Sequence, residues 1–577
     1  MRRKLTESWP SFAVAFAVAA IALKVTIGLQ GTFDVYFDDE TIYLDAAKHL
    51  GKRFLPLAES SPLYPMWYRA LNVFEPDPLK LYFLDWFVLT ASLPVLLYAL
   101  ARRSGATLFA AASVAIIWAL SSASMTWPFV SKFATLVLAL GALGSTYVRD
   151  ARIAIALGSV ALSAAAYVRP ELVLPAAAFA VIVLLWCLAA FVWHGRHRRP
   201  RAAAFAGLLV VAPPLLLRAL FGNVGNPFAY GRQFFAFGQH YALNVVEAKQ
   251  LPIDPWTSWL PIAREAFPKA GSIAEAAQEN PAAFMWHVKR NVSLVPHALY
   301  ELLQPLPHEP HVLRVVTALL ILLTFGSAFV GLVLRRSRRF SPPLVRLVPL
   351  LLAVAAATGG SAVLVYPRQH YILPLTFLVL AAVAGASGGP ERSSAGSQSR
   401  PVRMLRAGVV AATMLLLAAI PTARRGALPS ILSAIGPPPP PESAQENRAT
   451  ILALRKMGLV SLPWGPIEPR ADWMPTVVLL EPDYSRGVYA FYNFVRVEQW
   501  RKDRPFWDFL HVTWTNVIVL NGRLLNDAHL KDDPDFVAFV KGTGVREDFE
   551  TYPVEGTSVV LAVRRSLLQF ASVHSNR

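Results

Sequence analysis

The sequence predicts a polytopic all-α membrane protein, with amphipathic helices in its outer loops and a small C-terminal α/β domain. Hydrophobic residues make up 55% of the 577 positions, and they come in runs long enough to cross a bilayer. Basic residues sit in short clusters between those runs and form no continuous stripe. The formal charge of +18 therefore marks membrane topology, and no nucleic-acid partner is expected.

Apolar runs at residues 11–29, 79–100, 106–122, 130–147, 153–168, 171–193, 203–220, 311–334, 342–359, 370–387 and 405–421 predict about eleven crossings. Between them lie Arg2, Arg3 and Lys4; Arg102 and Arg103; Arg149 and Arg152; Arg196, Arg198, Arg199 and Arg201; Arg335, Arg336, Arg338 and Arg339; and Arg392, Arg400, Arg403 and Arg406. The positive-inside rule puts all of them in the cytoplasm, with the N-terminus inside and the C-terminus outside. Arg424 and Arg425 follow the last run on the outer side, but a few outward positive charges do not outvote the rest. The opening MRRK and its apolar run also fit a signal segment, but the run continues through Lys24 to Leu29 with no small-residue cleavage site, which favours a retained helix.

Residues 1–421 thus form the membrane domain, with outer loops at 30–78 and 221–310; 422–442 is a linker stiffened by Pro437–Pro441; and 443–577 is an outer α/β domain. In that domain TVVLL (476–480), NVIVL (516–520) and SVVLAV (558–563) predict strands, and AQENRATILALRKMG predicts a helix closing at Gly458. Cys187 is the only cysteine, so no disulfide supports these parts. Asn291-Val292-Ser293 is a glycosylation sequon that matters only in a eukaryotic host, and the Ala- and Arg-rich composition points to a prokaryote.

The first outer loop contains DVYFDDETIYLDAAKHL, residues 34–50. Ile42, Tyr43, Ala46, Ala47 and Leu50 share one helical face, which predicts a short helix along the membrane surface. Asp38 or Asp39 would cap it and Glu40 would suit its dipole, so a structural origin for the acidic triplet stands beside a functional one. A second amphipathic helix is expected in ESSPLYPMWYRALNVF, residues 59–74, with Ser61 as cap and Pro62 at its first position.

These residues resemble the GT-C superfamily of integral-membrane glycosyltransferases, especially the lipid A aminoarabinose transferases and the protein O-mannosyltransferases. Asp39-Glu40, with Tyr43 and Asp45 following, resembles the family's acidic pair; Glu59-Ser60-Ser61-Pro62-Leu63-Tyr64 resembles its second acidic element. AYVRPEL (166–172) falls at an outer turn, and VYPRQHYILPL (365–375) is similar to the Arg-Tyr-x-x-Pro start of a late helix, with Gln369 and His370 inserted before Tyr371. NPAAFMWHVKRN (280–291) resembles an aromatic-His-basic helix, with Trp286 where the family has Glu before the histidine, here His287.

The resemblance implies transfer of a sugar from a polyprenyl-phosphate donor to a lipid, glycan or protein acceptor, at the outer face of a bacterial inner membrane. The departing phosphate is already a stable anion and needs cations rather than a general acid. Arg169, Arg218, Arg290 and Arg368 are the candidates, each predicted near the outer boundary; for each, snorkelling to lipid headgroups remains the alternative. Asp39 is the expected general base for the acceptor hydroxyl, with Glu40 and Glu59 as orienting or charge-balancing groups. Tyr43, Tyr64, His287 and Tyr371 are expected to line the substrate site.

A divalent cation, Mg or Mn, is left open by the resemblance, while His308, Glu309 and His311 in PHEPH lack the helical spacing of a metal site and read as loop surface. A lipid-linked glycan ligase or polymerase would use the same arginines and carboxylate. A transporter or scaffold with a structural acidic loop is a third class, disfavoured because the runs carry almost no ionisable residue besides Lys24. If the topology is right, protease added to intact spheroplasts cuts the 221–310 loop and the tail and spares the RRSRR loop; cleavage at RRSRR alone reverses the map.

Overall fold

The computed structural model describes residues 2–35, 39–50, 61–194, 200–222, 232–251, 253, 255–256, 258–305, 311–334, 340–387, 400–420, 445–459, 477–480, 493–496, 504–527, 530–543 and 548–574. Two compact units divide the chain: residues 1–27, 57–64 and 86–438, and residues 28–56, 65–85 and 439–577.

Helices dominate the first part of the chain: α1 (Arg2–Thr26), α2 (Leu29–Thr32), α3 (Asp39–His49), α4 (Leu63–Leu71), α5 (Pro78–Arg103), α6 (Leu108–Leu120), α7 (Val130–Tyr147), α8 (Ala151–Ala166), α9 (Val173–His194) and α10 (Pro200–Phe221). The large loop supplies α11 (Arg232–Lys249), α12 (Trp259–Ala266), α13 (Ile273–Glu279) and α14 (Pro281–Leu303), and the bundle resumes with α15 (His311–Leu334), α16 (Pro342–Leu364), α17 (Gln369–Ser387) and α18 (Arg400–Ala419). Every predicted apolar run coincides with a helix. Among the described residues, eight helices are long and apolar enough to cross a membrane, namely α1, α5, α7, α9, α10, α15, α16 and α17; α6, α8 and α18 are apolar but shorter. The protein is thus a multi-pass membrane protein.

Local chemistry sets the helix starts. Thr107 caps α6, Asp150 caps α8, Asn280 caps α14 ahead of Pro281, and Ser341 caps α16 ahead of Pro342, each side-chain oxygen taking an otherwise unpaired backbone N–H. Helix α1 packs against α18 and α6, and Lys24 Nζ donates to the Leu417 carbonyl at 3.0 Å. Helices α7 and α17 are largely buried, whereas α9, α10 and α15 expose apolar residues such as Leu185, Leu216 and Leu322, a surface suited to lipid. The large loop has its own core, with Phe234, Phe237, Tyr241 and Phe267 at its centre.

In the second unit the tail contains α19 (Glu446–Lys456), β1 (Val477–Leu480), β2 (Asn493–Arg496), α20 (Phe506–Val512), β3 (Val517–Leu520), α21 (Gly522–Leu525), α22 (Pro534–Lys541), β4 (Phe549–Pro553), β5 (Val560–Arg564) and α23 (Arg565–His574). The sheet order is β2-β1-β3-β5-β4, parallel from β2 to β3 and antiparallel from β3 to β4. Phe506, Phe509, Ile518, Phe536 and Phe539 form its core. The three predicted strands and the predicted helix are present, and Gly458 closes α19 at φ 71°, where glycine pays no Cβ penalty.

This unit also contains first-loop residues, which join the tail through hydrogen bonds. Asp34 accepts from the backbone N–H groups of Asn447 and Arg448, both at 2.8 Å, and so satisfies first-turn donors of α19 from a distant point in the sequence. Arg455 at the other end of α19 forks onto Asp77, at 3.0 and 3.1 Å. Burial pushes the Asp34 carboxyl above its usual range, and the backbone N–H groups partly oppose that.

Two expectations about the first loop need correction. Helix α3 forms, but its buried stripe is Glu40, Thr41, Leu44 and Ala47, while Ile42, Tyr43, Ala46 and Leu50 are only half-buried; a glutamate occupies the stripe because a tyrosine hydroxyl meets it. Helix α4 starts at Leu63 rather than Pro62, because Ser61 has left-handed backbone, φ 55°, and turns the chain before the helix begins. The linker Pro437–Pro441 lies outside the described residues.

A glycine fixes the closest helix pair. A Cβ on Gly141 of α7 would lie 2.1 Å from the Ala161 Cβ of α8, whereas one on Gly144 meets nothing within 4 Å. Gly141→Ala should therefore cost about 1–3 kcal/mol through overpacking, with Gly144→Ala neutral or slightly stabilising. Melting of the detergent-purified variants separates the two, and equal midpoints would show that the pair can move apart freely.

Candidate functional site

At the end of the bundle where α8 finishes and α7 and α17 begin, AYVRPEL and VYPRQHYILPL come together. Arg169 follows α8, and the short Pro170–Leu172 turn brings Glu171 back to its guanidinium as an ion pair. Arg169 also donates to Ser131 Oγ at 3.1 Å and lies over the Tyr371 ring, 5.0 Å from its centroid. The charges of Arg169 and Arg368 both bear on His370, whose ring lies 4.3 Å from that of Tyr371. Arg368 itself sits over the Trp256 ring at 4.6 Å.

The four predicted arginines are thus not equivalent. The Arg169 side chain is 12% exposed and held by a carboxylate, a hydroxyl and an aromatic face, which is not the geometry of a snorkelling residue. Arg368 has a similar aromatic seat. Arg290 belongs to the large loop, where it donates to Asn244 Oδ1 at 2.9 Å and pairs with Glu247 at 3.3 Å. Arg218 is exposed at the end of α10.

The substrate candidates divide in the same way. Tyr371 lies in the cluster. Tyr64 is fully buried and stacks on Phe133 at 5.4 Å, while Tyr43 is half-buried on α3. His287 is fully buried and its nitrogens face protein: Nδ1 accepts from Asn244 Nδ2 at 2.9 Å, and Nε2 donates to the Val365 carbonyl at 3.1 Å. Asn291 donates to the Val363 and Val365 carbonyls, at 2.9 and 3.1 Å, so the sequon asparagine is buried. Together these residues fasten α11 and α14 to the turn that carries Arg368.

Of the acidic residues, Glu40 is fully buried and accepts from the Tyr68 hydroxyl at 2.7 Å. Asp39 opens α3, but its side chain, Asp38, Glu59, His308 and Glu309 lie outside the described residues, as does the side chain of His311. Among the described residues no three His, Cys, Asp or Glu side chains gather as metal ligands.

Several residues here escaped the sequence reading. Lys132 on α7 is fully buried, donates to Thr90 Oγ1 at 3.2 Å and to the Ser124 carbonyl, and lies 5.2 Å from the Phe129 ring centroid. Asp85 on α5 is equally buried and accepts from Trp67 Nε1 at 2.6 Å. The apolar runs are therefore less free of charge than expected, and an ionisable residue inside such a run was the available signal. His240, Asn244, Trp256 and Tyr366 carried none.

Burial depresses the His287 imidazole to about 4, against an ordinary 6.5, so the folded protein holds it neutral. The unfolded chain binds the extra proton between those values, and stability falls as pH drops from 6.5 to about 4, with no further loss from this group below. His287→Gln should flatten the melting profile in that interval by about 1–3 kcal/mol while lowering stability at neutral pH. An unchanged slope in detergent melts would show that His287 does not carry it.

No family model and no curated protein matches the sequence. Among solved structures the chain is similar to ArnT from Cupriavidus metallidurans bound to undecaprenyl phosphate, at 14% identity and a TM-score of 0.42, over 97% of this chain and 99% of that one.

Proposed function

We propose that this protein is a membrane glycosyltransferase that moves a sugar from a polyprenyl-phosphate donor to an acceptor on the outer face of a bacterial inner membrane. The observation that carries this reading is the seating of Arg169 over Tyr371 and of Arg368 over Trp256, on the turns whose motifs resemble GT-C glycosyltransferases. Two fixed guanidinium groups at the end of an apolar bundle suit a lipid-linked phosphate, with the charge at the bundle end and the chain in the bilayer.

In the reaction, the acceptor hydroxyl oxygen forms a bond to the anomeric carbon and the bond from that carbon to the phosphate oxygen breaks. The electron pair leaves with polyprenyl phosphate, whose charge Arg169 and Arg368 stabilise. The acceptor proton passes to Asp39, assigned here as general base from its place in the acidic motif. Glu40, already committed to Tyr68, orients rather than takes the proton, and Glu59 balances charge.

Detergent-purified variants assayed for sugar transfer from polyprenyl-phosphate donors, with melting measured alongside, test this division of labour. Asp39→Asn keeps the helix start and should cut transfer by roughly two to four orders of magnitude, with Asp38→Asn mild in both respects. Arg368→Ala should weaken donor binding, and Arg368→Lys should recover only part because the planar fork is lost. If Asp39→Asn transfers as fast as wild type but melts lower, the acidic triplet is a helix cap and the base lies elsewhere.

A further inference from the structure

His240 is 3% exposed, and nothing in the reaction above uses it. Its Nδ1 lies 2.7 Å from the carbonyl of Ala236, one turn back on α11. A carbonyl can only accept, so Nδ1 carries the hydrogen and Nε2 keeps a lone pair. That lone pair is buried and has no hydrogen-bond partner among the described residues. Because Nδ1 is tied back to α11, Nε2 on the opposite side of the ring points away from that helix.

The surroundings restrict what can reach it. The Tyr366 ring stacks on the imidazole at 5.4 Å and 28°, the Trp256 ring meets it nearly perpendicular at 5.6 Å, and Arg368 covers Trp256 at 4.6 Å. An anion cannot bond to a lone pair, and a cation is repelled by Arg368, whose charge already bears on His240. The ligand group at Nε2 must be a neutral donor, while the guanidinium beside it favours an acceptor or anion. Aromatic walls suit the C–H face of a ring. A glycosyl phosphate combines all three features.

We propose that His240, Trp256 and Arg368 form the subsite for the donor's sugar ring, with His240 Nε2 accepting a hydrogen bond from one sugar hydroxyl and so selecting sugars that carry one there. The assignment rests on the glycosyltransferase reading. It makes His240 a specificity residue: a site built around an unmet acceptor loses strongly when the matching hydroxyl is absent.

The test compares binding of farnesyl phosphate with that of farnesyl-phosphate-linked glucose, mannose and arabinose. For a sugar that improves binding to the wild type, His240→Ala should lose about tenfold toward that glycolipid and less than about twofold toward farnesyl phosphate, with His240→Gln, which keeps an acceptor, recovering part. On the unaltered protein, analogues of that sugar with single hydroxyls replaced by hydrogen should show one position whose loss costs about the same factor, a measurement that needs no variant to fold. Equal losses for both lipids in His240→Ala, or no sensitive hydroxyl in the wild type, overturn the subsite and make His240 a support for Arg368. Wild-type protein that binds farnesyl phosphate but gains nothing from any sugar overturns the subsite alone; wild-type protein that binds no polyprenyl phosphate overturns the glycosyltransferase reading and the subsite with it.

Discussion

A chain that crosses a bilayer repeatedly must satisfy its backbone polar groups within its own helices, since hydrocarbon offers no partner. Everything else in the first unit follows from that requirement. The apolar runs become helices whose outer faces stay apolar, and irregular backbone is confined to helix ends and loops. The charged side chains that remain then collect near those ends, where each must be met by another protein group. Lys132 has a threonine hydroxyl, a carbonyl and aromatic faces; Arg169 has a carboxylate, a hydroxyl and a tyrosine.

Positive charge held on aromatic faces is the recurring device at this site. A guanidinium over a ring keeps its charge while giving up fewer hydrogen-bond donors than a carboxylate would take. The fastening of His287 and Asn291 to the carbonyls at 363–365 gives the Arg368 turn a rigid support, and neutral imidazole is needed there because a second positive charge would repel the arginines.

The second unit solves a different problem. The acidic helix α3 and the tail are distant in sequence, yet Asp34 and Asp77 tie the first loop to both ends of α19. Helix α19 of the tail thereby holds the first loop on both sides of α3 and α4. A loop of this length between two membrane helices would otherwise have little to order it.

Composition and periodicity by themselves determined the multi-pass helical class, the helix behind each apolar run, and three strands and one helix of the tail, because a run of about twenty apolar residues or a short β-branched run has few stable alternatives. Motif resemblance picked out Arg169, Arg368 and Tyr371 as candidates but not their contacts. The tertiary structure alone separated the seated Arg169 from the exposed Arg218, buried the stripe containing Glu40 rather than the predicted face of α3, and brought Trp256, Tyr366 and His240 to one arginine. Each of these outcomes depends on which distant side chain meets a charge or a lone pair. Local sequence carries no record of that partner, and so no periodicity could have revealed it.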